Sequence, residues 1–473
     1  MGLPSTLAAL QAEASGILHW PENLGIEFRS LQLAAAPQTE LLIIFIPGLA
    51  DEELVRRAII EPLLLHTFDT ARQSAPTIQQ VTRVLPVARL SVVPDLATAV
   101  QGVMEGDTAL LLPGAEAATL VKTASSAPLD KMRGPVTWQS RFDSGLLENV
   151  LLIRKRLQDP NLIARPLNLP ETRTTGAALV YLEGRVSLDV LGQVQTHLQK
   201  QAGEGAYRQG LAAGLRGKWG LLPTFLTTPW PDKVTALLDS GHVAILVDGV
   251  PQAFLAPVTV AATLYSPLDA TLSRAVAVIL RGGRFVLAII AVTAAGTIVS
   301  LMNYHQEMMP TPFLFSLAVV REQAPLPVVM EVFVLELLQE MVRESAYQWP
   351  FRLSPGSVLV AGKLLMLILT QAGVVGTGTA AFSVIIMFST FGFFGYELIY
   401  LLRPWRYLIF AGGAIFGFFG MATVLFGFLL YLMTAESFGL PFIGESGLAL
   451  TAGYRLPPRK KGRDIHATEA GVR

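Results

Sequence analysis

Four long runs almost free of charge follow residue 284, and they constrain the fold more than anything else in the chain. Residues 285–302 carry no charged side chain over 18 positions. Residues 355–375 are apolar apart from Lys363, and residues 377–402 apart from Glu397. Residues 407–433 carry none over 27 positions. A helix needs about 20 apolar residues to cross the hydrocarbon of a bilayer, so each run predicts a transmembrane helix. The charged fraction of 15% and the mean hydropathy of +0.48 fit a chain with a large membrane part. In the last run Gly413 and Gly417 form a G-x-x-x-G pair with Gly420 nearby. That spacing predicts close approach to another helix.

Before residue 284 the texture is that of a soluble protein, and it repeats. GDTALLLPG (106–114) returns as GHVAILVDG (241–249), an offset of 135. LLIIFIPG (41–48) returns as AALVYLEG (177–184), an offset of 136. The 41–48 and 177–184 stretches each read as a buried strand, a glycine turn and the start of an amphipathic helix. Two separate segments sharing almost one offset imply a duplicated α/β unit. The expected order is a first α/β subdomain over 1–135, a linker with a helical segment over 136–176 and a second α/β subdomain over 177–280. An α-helical polytopic transmembrane domain over 281–454 and a basic tail over 455–473 follow. In the second copy Asp248-Gly249 predicts a two-residue type I′ hairpin turn. The repetition is architecture and carries no catalytic pattern.

The usual chemical patterns are missing. Lys+Arg and Asp+Glu are equal at 36 each, so no basic field points to nucleic acid. With no cysteine there are no disulfides and no thiolate metal sites. There is no phosphate-binding G-x-x-x-x-G-K-[ST] and no HExxH, and the six histidines are scattered. The expectation is a protein that is not an enzyme and holds no cofactor. The N-terminal letters MGLPSTLAALQAEASG lack the basic start of a secretory leader.

Several blocks resemble one family, the A subunits of GerA-type spore germinant receptors. RGPVTWQSRFDSGLLENVLLIRKRLQDPNL (133–162) is similar to that family's G-P…F…N-x-x-L-I-R-x-R-x-x-D-P-x-L block. Asp248, Gly249 and Pro251 match its D-G-x-P, followed by SPLD at 266–269. APLPVVMEVFVLELLQEMVRE (324–344) and SFGLPF (437–442) resemble two later blocks, in family order. Two places depart: Ser345-Ala346 stands where the family usually has Ala-Gly, and the linker lacks the usual acidic wording. The resemblance implies a receptor subunit of the spore inner membrane. It implies a homo-oligomeric ring forming a ligand-gated ion channel, beside a permease-like B subunit and a lipoprotein C subunit. A solute transporter and a non-conducting scaffold are the alternatives.

Charge sets an expected topology. Arg274, Arg281 and Arg284 before the first run place the N-terminal half in the cytoplasm, and Arg343, Arg352, Arg403 and Arg406 mark later cytoplasmic turns. A return crossing is then needed within 310–342. Five crossings would leave the basic tail outside, so a further re-entrant or crossing segment is expected over 437–452. Lys363 and Glu397, both inside apolar runs, are expected to pair across adjacent helices. The helix over 325–344 places Glu336, Glu340 and Glu344 within about 80° of its circumference, with Glu331 about 140° from Glu336. Three acids cannot face lipid, so they face water, protein or partners. In a symmetric ring they would line a cation pathway, with Arg343 and Glu344 securing the helix end.

Overall fold

The computed structural model describes residues 3–33, 36–65, 78–87, 89–124, 141–167, 176–202, 225–270, 272–312, 314–315, 325–348, 355–391 and 396–443. The chain divides into two compact units. One is made of residues 1–214 and 227–257 with 454–473, the other of residues 258–453 with 215–226.

The first unit is a true duplication. Its first copy runs α1 (Leu7–Leu18), β1 (Glu27–Leu33), β2 (Ala36–Phe45), α2 (Glu52–Val55), a π-helical turn (Arg56–Ile60), α3 (Glu61–Leu65), α4 (Ile78–Val84), β3 (Leu90–Val93), α5 (Leu96–Met104), β4 (Thr108–Leu111) and β5 (Ala118–Val121). The second copy runs α6 (Leu146–Leu157), β6 (Leu162–Leu167), β7 (Ala177–Leu182), α7 (Leu188–Ala202), β8 (Leu226–Thr228), α8 (Pro231–Asp239), β9 (Val243–Val247) and β10 (Ala253–Ala256). The sheet orders are β1-β2-β4-β5-β3 and β6-β7-β9-β10-β8, one topology written twice. In each copy the fourth and fifth strands are buried along their whole length. Unbroken apolar runs such as AILV suit that position, since both sheet faces are covered.

Two expectations need correction. Residues 146–167, read above as linker, supply the first helix and the edge strand of the second sheet, so the second copy starts well before 177. Asp248-Gly249 does not form a two-residue turn. Leu246 lies opposite Ala253, which leaves a longer connection, and of the two turn residues only Gly249 has positive φ, at 76°. The turn reaches elsewhere instead. Asp248 Oδ1 accepts from Leu146 N at 3.1 Å, and Gly249 N donates to Ser144 O at 2.6 Å, so the pair caps the start of α6.

The copies interlock through polar groups. Asn23 Nδ2 donates to Leu18 O and Leu162 O, while its Oδ1 accepts from Ala164 N and from Arg154 Nη2. Arg154 also reaches Leu24 O at 2.9 Å. It is completely buried, with Nε and Nη1 lacking hydrogen bonds among the described residues, and burial pushes its pKa down to about 10.

The second unit is helical: α9 (Val260–Leu264), α10 (Arg274–Asn303), α11 (Val328–Gln348), α12 (Pro355–Gln371), α13 (Thr377–Phe391) and α14 (Tyr396–Thr434), then a hairpin of β11 (Glu436–Ser437) and β12 (Leu440–Pro441). Two helical stretches, 275–303 and 401–434, are long and apolar enough to cross a membrane. The second is not straight. At Gly417 φ is 60° and ψ −147°, and the chain reverses. Trp405 lies 5.0 Å from Phe428 and 5.3 Å from Tyr431 between ring centroids. In a straight helix residues 405 and 428 would stand about 35 Å apart. α14 is thus two antiparallel arms, 396–416 and 418–434.

Glycines let these helices touch. A Cβ on Gly412 would meet Gly420 O at 2.8 Å, and one on Gly413 would meet Gly296 O of α10 at 2.8 Å. The expected close packing is therefore real at Gly413, while Gly417 makes the turn. Tyr304, at the end of α10, donates its hydroxyl to the freed carbonyls of Ala414 and Ile415 at 2.9 and 2.8 Å. Contacts fix the directions. The first arm runs parallel to α10, through Gly296–Gly413 and Tyr304–Ala414. α11 runs against it, through Phe333–Phe410 and Glu336–Arg406. α13 runs with α11, through Glu331–Gly376 and Gln339–Ser383. The six runs alternate, and an even number returns the chain to the end where α10 begins. The return contact is direct: Val258 N donates to Ser437 Oγ at 2.9 Å, and Val260 N to Phe442 O at 3.1 Å. A sixth helical run, where a re-entrant or crossing segment was expected over 437–452, is thus supplied by the reversal inside the 407–433 run. Residues 436–441 form the small hairpin, and 444–452 fall outside the described residues.

Candidate functional site in the helical unit

α11 is amphipathic in an inverted sense. Met330, Phe333, Leu337 and Met341 form its exposed stripe, while Glu331, Glu336, Gln339 and Arg343 are buried among other helices. Of the surroundings open to the acids, Glu336 has protein: it is 3% exposed, and Arg343 beside it 1%. Spacing explains the arrangement. Glu336, Glu340 and Glu344 recur every four residues, and Arg403 and Arg406 are three apart, so each set shares one helix face.

The two faces meet as a layered ion-pair cluster. Arg406 Nη2 stands 3.1 Å from Glu336 Oε2 and 3.2 Å from Glu340 Oε2. Arg403 Nε stands 2.6 Å from Glu340 Oε1, and its Nη1 3.5 Å from Glu344 Oε2. Arg343 Nη1 lies 3.2 Å from Glu340 Oε2, an i,i+3 pair within α11. Three carboxylates face three guanidinium groups. Neither oxygen of Glu336 has hydrogen-bond geometry among the described residues, so that group is held by charge alone. The Arg406 guanidinium also lies 5.3 Å from the centre of the Tyr407 ring. Buried charges survive only when paired, and this pairing ties α11 to the first arm of α14 over two helical turns.

The remaining sequence candidates fall elsewhere. Glu331 is fully buried at the other end of α11, its Oε1 3.4 Å from Gly376 N at the start of α13. There it faces the positive end of a helix dipole. Lys363 is exposed on α12, and the Glu397 side chain falls outside the described residues, so their expected pairing does too. Asp248 and Gly249 belong to the α/β unit. Arg403 and Arg406 were read only as topology markers. Their three-residue spacing, complementary to the four-residue acid row, was the signal for the cluster.

A second charged knot ties the segment before α10 to the first turns of that helix. Asp269 is fully buried and accepts from Arg284 at 2.7 and 2.9 Å and from Arg281 at 3.0 Å. Burial opposes its ionisation, but the two arginines outweigh that and hold its carboxyl below the ordinary range. Among the described residues no group of three or more metal-ligating side chains is assembled.

The family model described as "Bacillus/Clostridium GerA spore germination protein" matches residues 19–448. "Spore germination protein KA" of Bacillus subtilis (strain 168) is 25% identical over 427 residues, 88% of this chain and 77% of the relative. "Spore germination protein GerLA" of Bacillus cereus is 25% identical over 451 residues, 93% and 90% of the two chains. "Spore germination protein A1" of Bacillus subtilis (strain 168) is 25% identical over 405 residues, 82% and 83%. Among solved structures, the N-terminal domain of the A subunit of the Bacillus megaterium spore germinant receptor GerK3 aligns with a TM-score of 0.44 and 18% identity, over 54% of this chain and 96% of that one.

Proposed function

This chain belongs to the GerA spore germination protein family, and from that premise we propose that it is the A-type membrane subunit of a germinant receptor, a ring-forming cation-channel component gated by nutrient sensing in a partner subunit. The partners are a permease-like B subunit and a lipoprotein C subunit, in the spore inner membrane, with the duplicated α/β unit in the cytoplasm. The observation that carries the reading is the acid row of α11 matched against the arginines of α14. A helix that only anchored the chain would have no use for three carboxylates inside an apolar bundle, where each ionisable group is costly. In the resting chain the arginines hold those carboxylates. Gating exchanges the arginines for cations, and rings of Glu336 and Glu340 then select positive ions.

Topology agrees. Six alternating runs put Arg281, Arg284, Arg343, Arg403 and Arg406 toward one end of the bundle, the end that the excess of positive charge marks as cytoplasmic. Cation flux into liposomes carrying the full chain tests the reading. Glu336→Gln and Glu340→Gln each lower cation flux per assembled complex recovered in the liposomes. Equal flux and equal ion preference in both variants would remove the acid row from the pathway. Absence of any flux from the wild-type assembly would leave the scaffold reading.

A further inference from the structure

The block SFGLPF (437–442) has no part in the ion-pair cluster, yet it is held at several points. Ser437 is buried, and its hydroxyl accepts from Val258 N at 2.9 Å. Phe438 and Gly439 both have positive φ, 49° and 72°, and they link Ser437 to its cross-strand neighbour Leu440. That is the two-residue type I′ turn, found here and not at Asp248-Gly249. The φ of Phe438 is uncommon for an aromatic residue. It is held in place by an edge-to-face contact with Phe225, at 5.1 Å between centroids. Phe442 is buried, donates its N–H to Ala435 O at 2.8 Å and accepts from Val260 N at 3.1 Å. Pro441 is exposed and lies opposite Glu436 in the hairpin.

We propose that this hairpin is a coupling clasp: it fastens the end of the last helical arm to residues 258–260, so that movement of that connecting segment is delivered to α14. Residues 258–260 are the stretch through which the chain passes from the α/β unit into α9 and α10. Covalently they lead only to α10. The clasp gives them a second, non-covalent path to α14, the helix whose first arm bears Arg403 and Arg406. Without it, movement at 258–260 would reach the acid–arginine cluster only through α10 packing.

The proposal rests on the germinant-receptor reading for its biological output, so two measurements separate them. Hydrogen exchange of the full chain in detergent reads the clasp alone. Ser437→Ala raises exchange at the Val258 amide at least tenfold, and Ser437→Thr, which keeps the hydroxyl, leaves it near wild type. Cation release from spores carrying the same variants, triggered with rich nutrient broth, reads its use. Ser437→Ala slows release several-fold at unchanged chain abundance, and Ser437→Thr restores it. Because the chain has no cysteine, Val258→Cys combined with Ser437→Cys gives a second handle: reduced, it behaves like Ser437→Ala, and oxidised, it recovers. Unchanged exchange in Ser437→Ala overturns the clasp. Faster exchange with wild-type release overturns the coupling. Release that does not depend on this chain at all refutes the receptor reading and leaves the exchange result standing.

Discussion

At the scale of single residues, the buried polar groups make the sharpest predictions. His242 is buried in the second α/β copy, its Nδ1 3.1 Å from Leu237 O and its Nε2 without a hydrogen bond among the described residues, and burial pushes its pKa down to about 4. An unfolded histidine titrates near 6.5, so stability from keeping it neutral is fully present above that pH. It is lost as pH falls from about 6.5 toward 4, by on the order of 3 kcal/mol in total. Thermal unfolding followed against pH shows this slope, and His242→Gln flattens it. Asn23 is the other case. Asn23→Ala strips partners from Arg154, the Ala164 amide and two carbonyls at once, and several orphaned buried groups cost about 1–3 kcal/mol each. A loss below about 1 kcal/mol in the denaturation midpoint would mean that the two copies do not depend on this lock. Gly417 makes a third prediction. An added Cβ would sit 3.1 Å from Tyr304 atoms in a backbone region that only glycine adopts readily. Gly417→Ala costs about 2 kcal/mol or more in detergent, while Gly427→Ala, in open space, changes little.

At the scale of elements, the ion-pair cluster predicts coupling. Glu336→Gln and Arg406→Gln each leave one buried charge unmatched and destabilise by about 3–5 kcal/mol. The double variant recovers part of that loss. Full additivity in a double-mutant cycle would show that the two helices are not joined there. Much at this scale was legible in the sequence. β2, β4, β7 and β9 follow from their apolar runs, and α11 follows from its four-residue acid spacing. What was hidden depends on backbone geometry. A 27-residue uncharged run cannot tell a straight helix from two arms, because composition is the same on both sides of Gly417. Only the reversal brings Trp405 to Phe428. A helix was expected within 136–176, but its place in the second copy, and the edge strand after it, were hidden differently. α6 carries Arg154, Lys155 and Arg156 in its last turn, and such charge reads as a solvated connector until the fold buries Arg154.

At the scale of the whole molecule, the even number of helical runs makes a prediction that needs no activity. Glu307 is exposed beyond the end of α10, and Glu436 follows the last arm. In this cysteine-free chain, Glu307→Cys and Glu436→Cys react with an impermeant maleimide from opposite sides of the membrane. Labelling of both from one side would break the alternation. The duplication has its own consequence. α1 ends at His19, which pairs with Glu183 in the turn after β7 at 2.7 Å. Reciprocally, Leu151 of α6 packs under Gly48 in the turn after β2. Each copy thus offers its first helical segment to the turn beyond its sibling's second strand, but through different chemistry: an ion pair at one turn, an apolar contact under Gly48 at the other, while Gly184, the counterpart of Gly48, has open space around it. A turn already held by its sibling is closed at that point to a second chain.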